Sequence, residues 1–508
     1  MVGTESTIPT VAVTPNPLTV TYRLEERPSI TVTVTGQPGH GYPEGTVTLE
    51  TGATTEPVVC VETGTHTTTV ATVFTCHLVS RTELQGGSHT TVTATFVPGT
   101  PSSSTRNFSY VTRTSPAVTV HVAVPSLATA ARIAGSTADA TAATELAHQF
   151  PTGAGTCPGS ASVVLVRDSS FPDALASQYL ASFLGTGTLL TPTGHLSSVT
   201  ETAIRDEGIA RVYIVGGILA VSTAVARAIG SLPAYRCGGT VARGTTVQVT
   251  RIAGRTAYAT AQAVAAFVGP GFVGRVDAGG AYGWVNRAGG TGAFNTTAGT
   301  GSPAAATGTQ RSAIVVTGAS FQDAESASVI SYAEHLPIVL TDPVSLSPQA
   351  AATITALGIR QVIVMGGPLA VSDAVVTQLE DLGVSVLRVA GTDYTGTAVE
   401  AADFELSTSG LGWTAGSGFV VARGNGYADG LAGALVAAGA GTVHVHGPEP
   451  LLLTETPVSV GPSLRGFLAE AGSGSLRGGH AVTTLTVLGG QLAVTTAAVR
   501  TMLSALGS

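Results

Sequence analysis

The sequence predicts a multidomain chain: an N-terminal all-β sandwich of immunoglobulin-like type, followed by three Rossmann-like α/β open-sheet modules. Three observations carry this. One four-part signature is written three times in constant order. Within each copy, short continuous apolar strands alternate with helix-length segments. Residues 1–125 instead alternate apolar and polar side chains in brief Thr/Val-rich runs.

The β region comes first. Thr10–Val13, Thr19–Tyr22, Thr31–Val34, Thr46–Thr51, Thr67–Cys76, Thr90–Phe96 and Val118–Val124 read as strands. Turn-forming residues separate several of them, at Gly36–Gly45, Gly64 and Pro98–Ser104. Regular spacing of this kind points to a sandwich over residues 1–125. Pro125–Ala131 then leads into the first α/β module.

The signature opens with Arg132-Ile133-Ala134-Gly135, rewritten as Arg251-Ile252-Ala253-Gly254 and Arg388-Val389-Ala390-Gly391. An aromatic-x-Asp segment follows: Phe171-Pro172-Asp173, Phe321-Gln322-Asp323 and Tyr427-Ala428-Asp429. Each copy ends in a strand and a double glycine, Gly216-Gly217, Gly366-Gly367 or Gly489-Gly490, then Leu-Ala-Val-Ser/Thr. Repetition on this scale decides the fold reading. Arginine to aspartate spans 41 residues in copies one and three but 72 in copy two. The surplus is a Gly/Thr-rich insertion at about residues 279–308. Copy three is padded between its aspartate and its double glycine, 60 residues against 43. The predicted modules are therefore 126–247, 248–386 and 387–508, each long enough for its own core.

Inside a module the elements follow in order. Ser162–Val166, Ile314–Thr317 and Gly418–Ala422 are β-branched apolar runs. Ala174–Leu184 and Ala324–Leu336 have helix length and alanine content, with the aspartate at the first turn. Thr188–Thr191, Ile338–Thr341 and Leu451–Thr454 read as buried strands. Ser197–Glu207 and Ser347–Leu357 read as helices opened by a serine N-cap, with Pro348 at N1. Val212–Val215, Val362–Met365 and Leu485–Leu488 close the set.

Composition narrows the class. Charged residues make up 11%, the net charge is −8, and there is no lysine. A nucleic-acid partner needs a concentrated positive surface, which this balance argues against. Mean hydropathy is +0.36, yet no apolar run reaches the ~18 residues of a membrane span. The opening Met-Val-Gly-Thr reads as a start on a mature sequence from which a targeting segment has been trimmed. Four cysteines fall as two pairs, Cys60 with Cys76 and Cys157 with Cys237, and none forms a CxxC motif. Two disulfides in an oxidising, extracellular setting are one reading; four free core thiols are the other.

Taken together, Arg-Ile-Ala-Gly…Thr-Ala, Phe-Pro-Asp-Ala-Leu, Leu-Leu-Thr-Pro and Gly-Gly-x-x-Ala-Val-Ser resemble the cell wall binding repeat 2 family over residues 127–508. The resemblance implies three modules about a pseudo-threefold axis. It also implies non-catalytic attachment to the bacterial wall through a secondary polymer, in surface-layer proteins and wall hydrolases. The N-terminal segment is similar to bacterial immunoglobulin-like domains. The chain departs from the family pattern where a second arginine is usual, having Ala138, Ala257 and Tyr394. The tyrosine after it survives only as Tyr258, while Thr141, Thr260 and Thr397 are kept. Glu325 stands where the other copies have Leu175 and Leu431.

The residues that bear chemistry each have two readings. Asp173, Asp323 and Asp429 lie where a strand yields to a helix, the edge at which open α/β sheets take ligands. A first-turn helix aspartate, favoured by the macrodipole, is the structural alternative. Arg132, Arg251 and Arg388 read as module-to-module contacts or as forks for an anionic polymer. The double glycines read as tight turns, since no GxGxxG or Walker pattern continues them. His444, His446 and Glu449 form a weak metal candidate beside the plainer reading of a histidine pair in an inserted loop. No catalytic constellation is recognisable, so neither a cofactor, a metal nor an enzyme activity is expected.

The expected partner is a secondary polymer or glycan of the cell wall, met by a secreted protein at the cell surface. Three weak sites on one body would gain ~10²–10⁴ through avidity, in grooves lined by the Leu-Thr-Pro and Asp-Ala-Leu segments. An adhesin using the β-sandwich or the insertion, and a wall hydrolase, are the rival readings. A surface-layer role would need self-association, which is not legible in the sequence.

Overall fold

The computed structural model describes residues 5–7, 9–14, 18–21, 29–38, 43–51, 58–62, 71–77, 89–99, 108–123, 128–150, 161–236, 239–276, 310–407, 410–413, 418–439, 447–473 and 482–507. The 279–308 insertion, Cys157, Cys237, His444 and His446 lie outside these. The chain divides into two compact units, Met1–Leu127 with Gly507–Ser508, and Ala128–Leu506.

The first unit is strand-rich. Antiparallel pairings run Thr10–Thr14, Ser29–Thr35, Ala71–His77, Val58–Glu62, Gly45–Thr51, His89–Pro98 and Val118–Ala123. Period two sets the core: Ile30, Val32 and Val34 are fully buried while Thr31 and Thr33 between them are not. Phe74 and Phe96 meet across the interior with centroids 6.5 Å apart. Cys60 and Cys76 are bonded on neighbouring strands, with Cα atoms 4.1 Å apart.

The second unit holds three parallel four-stranded sheets built to one plan. In the first, Thr188–Thr191, Ser162–Arg167, Arg211–Val215 and Gln248–Ile252 lie side by side. The second orders Ile338–Thr341, Gln310–Thr317, Gln361–Met365 and Ser385–Val389, with Arg275–Val276 added antiparallel. The third orders Leu451–Thr454, Gly418–Arg423, Thr484–Leu488 and Thr129–Ile133. The fourth strand always comes from another copy's Arg-Ile-Ala-Gly segment. Copy two completes the sheet of copy one, copy three that of copy two, and copy one that of copy three. Sequence repeat and sheet are thus out of phase, and the strand pairings close a ring.

Burial follows from that ring. Thr188–Thr191, Ile338–Thr341 and Leu451–Thr454 are buried at every position, as expected of strands covered on both faces. The helix Pro172–Leu184 is buried from Asp173 through Ser182 because it packs on Ala257–Val268 of copy two as well as Ala327–Glu334. Its alanines and serines permit that close approach. One hydrophobic core runs through all three copies. Ser197 and Ser347 cap their helices by accepting from the backbone N–H of Thr200 and Ala350, and Gly461-Pro462 replaces that device in copy three.

Copy two differs at the aspartate helix. Like that of copy three (Tyr427–Ala432 and Ala434–Ala437) it is interrupted, as Gln322–Glu325 and Ala327–Glu334, but it alone ends on a non-glycine, His335 at φ 57°, where copies one and three have Gly185 and Gly439. A left-handed non-glycine residue costs about 1–2 kcal/mol. Its imidazole is held by Ser182 Oγ, 2.6 Å from Nδ1, and by the Phe272 ring at 4.4 Å. Among the described residues, no helix is long and apolar enough to cross a membrane.

Candidate functional site

All three arginines grip a double-glycine turn, two of them through the same three carbonyls. Arg251 donates from Nη1 to the carbonyls of Gly216 (2.6 Å) and Gly217 (3.1 Å), and from Nη2 to Val221 (2.7 Å). Arg132 repeats the set on Gly489, Gly490 (3.0 Å) and Val494 (2.7 Å). Arg388, only 1% exposed, donates to Gly366 (2.7 Å) and pairs with Asp373 at 3.2 Å. Each guanidinium therefore staples the double-glycine turn of another copy. Burial is the first influence on all three and lowers their pKa.

The aspartates complete the same joints. Thr260 donates to Asp173, Thr397 to Asp323 and Thr141 to Asp429. Each threonine hydroxyl in turn accepts from the glycine N–H of its own Arg-Ile-Ala-Gly segment at 3.1 Å. Gly216, Gly366 and Gly489 sit at φ 116°, 98° and 85°, and a Cβ on any of them would collide with the aspartate carboxylate. This is why the first glycine of each pair must be glycine. No such demand falls on the second. Burial raises all three aspartates, against the opposing pull of the threonine bond and, for Asp173 and Asp429, of Arg167 and Arg423.

The six candidates thus lie at the three joints, the arginines occupied by backbone carbonyls and the aspartates by threonine hydroxyls. Free polar chemistry lies just outside them, in the loops that precede the aspartates. Phe171, Phe321 and Tyr427 converge there, with centroid separations of 5.6, 5.7 and 6.3 Å. All three rings are half-buried, and the loop tips Ser169, Ala319 and Asn425 are exposed. Arg167 is near enough to both Asp173 and Tyr427 for its charge to act on each. Arg423 lies over Gly426, where a Cβ would collide with its guanidinium, and its Nε is 3.9 Å from Asp429. In the sequence the aromatic residues are visible as part of the signature, but nothing there shows that they meet.

Buried acids were equally hidden. Glu145, Glu325 and Glu405 are 1%, 0% and 1% exposed, and their carboxyl oxygens find no hydrogen-bond partner. Burial holds all three well above the ordinary glutamate range, with Asp429 adding to the effect on Glu145 and Glu325. Glu325 fits because copy three has Gly430 where copies one and two have Ala174 and Ala324; a Cβ there would strike Oε1. Among the described residues, no group of three or more His, Cys, Asp or Glu is placed to hold a metal ion.

Comparison with known proteins places this architecture. A stretch of 101 residues is 33% identical to N-acetylmuramoyl-L-alanine amidase LytC of Bacillus subtilis (strain 168), covering 20% of this chain and 20% of the amidase. Cwp6 from Clostridium difficile shares the fold at TM-score 0.52 and 15% identity, over 98% of this chain and 68% of that one. Cwp8 from the same organism does so at TM-score 0.52 and 16% identity, over 95% and 89%. The sequence profile of cell wall binding domain 2 (CWB2) matches residues 127–226, 251–376 and 388–499. With well over half its length matched, one segment per repeat, the chain belongs to the cell wall binding domain 2 family.

Proposed function

We propose that the Ala128–Leu506 unit is a non-catalytic anchor that holds a secondary polymer of the bacterial wall, and that the Met1–Leu127 unit is what it retains at the surface. Family membership makes this a wall-associated, cell-surface protein. The polymer as ligand, a surface-layer role, the Rossmann-like modules and the immunoglobulin-like sandwich belong to our reading. The observation that carries it is the closed ring of joints. The repeated Arg, Asp, Thr and Gly chemistry is used to fix three copies to one another, so their loops at the carboxyl edges of the sheets are held in constant relation. A rigid body with repeated loop sets suits a repeating polymer, because each later engagement is intramolecular.

The resemblance to an amidase supports a hydrolase as the second reading. Turnover of purified peptidoglycan by the full chain tests it. The anchoring reading predicts strong retention on purified Gram-positive walls and loss of that retention on walls stripped of secondary polymer. Equal retention on both would overturn it.

A further inference from the structure

We propose that the triangle of Phe171, Phe321 and Tyr427, with Arg167 and Arg423 beside it, is a binding site for an acidic sugar residue. This rests on the anchoring reading and names where the polymer is gripped. The rings come from three different copies and meet within 6.3 Å. They lie at the carboxyl edges of their sheets, where open α/β folds take ligands. A cluster serving only as packing would be fully buried, yet each of these rings keeps part of its surface open. An aromatic platform of this size accepts the C–H face of a pyranose.

Charge at the platform is unevenly placed. Arg167 and Arg423 occupy equivalent positions in copies one and three, and copy two has Thr317 there. The Nε of each arginine is out of solvent without a hydrogen-bond partner. The carboxylates nearest them, Asp173 and Asp429, already accept from Thr260 and Thr141. Arg423 remains 34% exposed. Two partly exposed guanidiniums, on an otherwise acidic and lysine-free chain, fit a carboxylate or a phosphodiester on the sugar. Asp168, close to Tyr427, is placed to accept from a neutral hydroxyl of the same residue. The three-part platform thus takes an asymmetric ligand, with the uncharged Thr317 side left for its neutral end.

The test uses the full chain and purified Gram-positive walls. The double variant Arg167→Gln/Arg423→Gln should lose retention by about tenfold or more, since charge-assisted bonds are the strong ones, and should lose salt sensitivity with it. Its melting temperature should fall, because Asp173 and Asp429 lose the charges that oppose their burial, so retention is compared at a temperature where circular dichroism shows both proteins folded. Phe321→Leu, which keeps apolar packing but removes a stacking face, should weaken retention while the salt response stays. Competition separates the acid: oligogalacturonate should displace the chain if the group is a carboxylate, poly(glycerol phosphate) if it is a phosphodiester, and neutral dextran should do neither. Parental retention by both variants, or displacement by neither acid, overturns the site. If the parent distinguishes intact from stripped walls while both variants bind like it, the anchor stands and this site alone falls.

Discussion

The joint between copies one and two and the joint between copies three and one are chemically alike and topologically opposite. Arg251 reaches carbonyls 30–35 residues back in the chain, whereas Arg132 reaches 357–362 residues forward. The carbonyl pattern, the threonine–aspartate bond and the five-residue parallel register are the same in both. What differs is the chain that must be looped. A tenfold longer loop costs about 2 kcal/mol more to close, so the distant joint needs the whole unit to be ordered before it forms. The bonds are local rules, and ring closure is where they act at long range.

The largest break in this comparison is to remove the closing strand. Deleting residues 128–134 exposes the edge of Thr484–Leu488 and strips its turn of Arg132. The Ala128–Leu506 unit should then lose its single cooperative transition, read by far-ultraviolet circular dichroism on heating. Restoring the same segment after Leu506, where the third sheet needs it, should recover the transition. A deletion variant that melts like the parent would show that the ring is not closed by this strand.

The two joints also differ in the acids around them. Glu145 and Glu325 flank Asp429 at the closing joint, and no equivalent pair attends Asp173. Burial holds their folded pKa values, with that of Glu405, well above the ordinary glutamate range. Below about 4.5 both folded and unfolded chains hold these protons, and the full stability is present. As pH rises beyond that, the unfolded chain releases protons that the folded chain keeps, so stability falls. Each group contributes at most about 1.4 kcal/mol per pH unit. Glu207, pushed up to about 7 by burial, adds to the same slope between 4.5 and about 7. Urea unfolding should therefore give a lower free energy at pH 7.5 than at pH 5. Glu325→Leu should flatten the slope and stabilise at pH 7.5, by about 1–3 kcal/mol for a buried group freed of its desolvation. Gly430→Ala should destabilise the parent and be tolerated beside Glu325→Leu.

Much of this was legible in the residues, and the limits have physical causes. Strands such as Leu451–Thr454 are short apolar runs, and a strand buried on both faces has to be one. The signature marked Arg132, Arg251 and Arg388 as a symmetric set, with a module contact among its two readings. Their acceptors are backbone carbonyls, which carry no side-chain signal. The partner of Thr129–Ile133 was illegible because a strand's pattern encodes burial and not which edge it joins. That is also why the repeat boundary drawn at each arginine does not coincide with a sheet boundary. Glu325 was visible as an exception, but the compensating Gly430 lies in another copy and has meaning only once the two helices touch. The convergence of Phe171, Phe321 and Tyr427 depends on the ring, which no single repeat contains.

Arginine substitution sharpens the comparison by separating equilibrium from rate. Arg132→Met and Arg251→Met each unpair the carbonyls of one turn, which costs about 1–3 kcal/mol. The two losses should agree within about 0.5 kcal/mol, because the bonds are the same. Chevron kinetics should divide them. The near joint is cheap to close and should form early, so Arg251→Met slows folding; the far joint closes late, so Arg132→Met speeds unfolding. Identical partition of the two variants would mean that chain separation does not order the assembly.

The smallest effect concerns the second glycine of each pair. Gly217 and Gly367 would place a Cβ in open space, and Gly490 would meet only the Gly135 carbonyl oxygen at 3.6 Å, ordinary contact. None of the three has the positive φ of its predecessor. Alanine at 217 or 367 should shift stability by less than about 0.5 kcal/mol, whereas Gly216→Ala should cost several times more through strain and collision with Asp173. Gly490→Ala is the informative one. Its Cβ would touch Gly135, two residues past the strand that closes the ring, so any loss beyond that of Gly217→Ala, measured by urea unfolding, reports how tightly the far joint is packed relative to the near one.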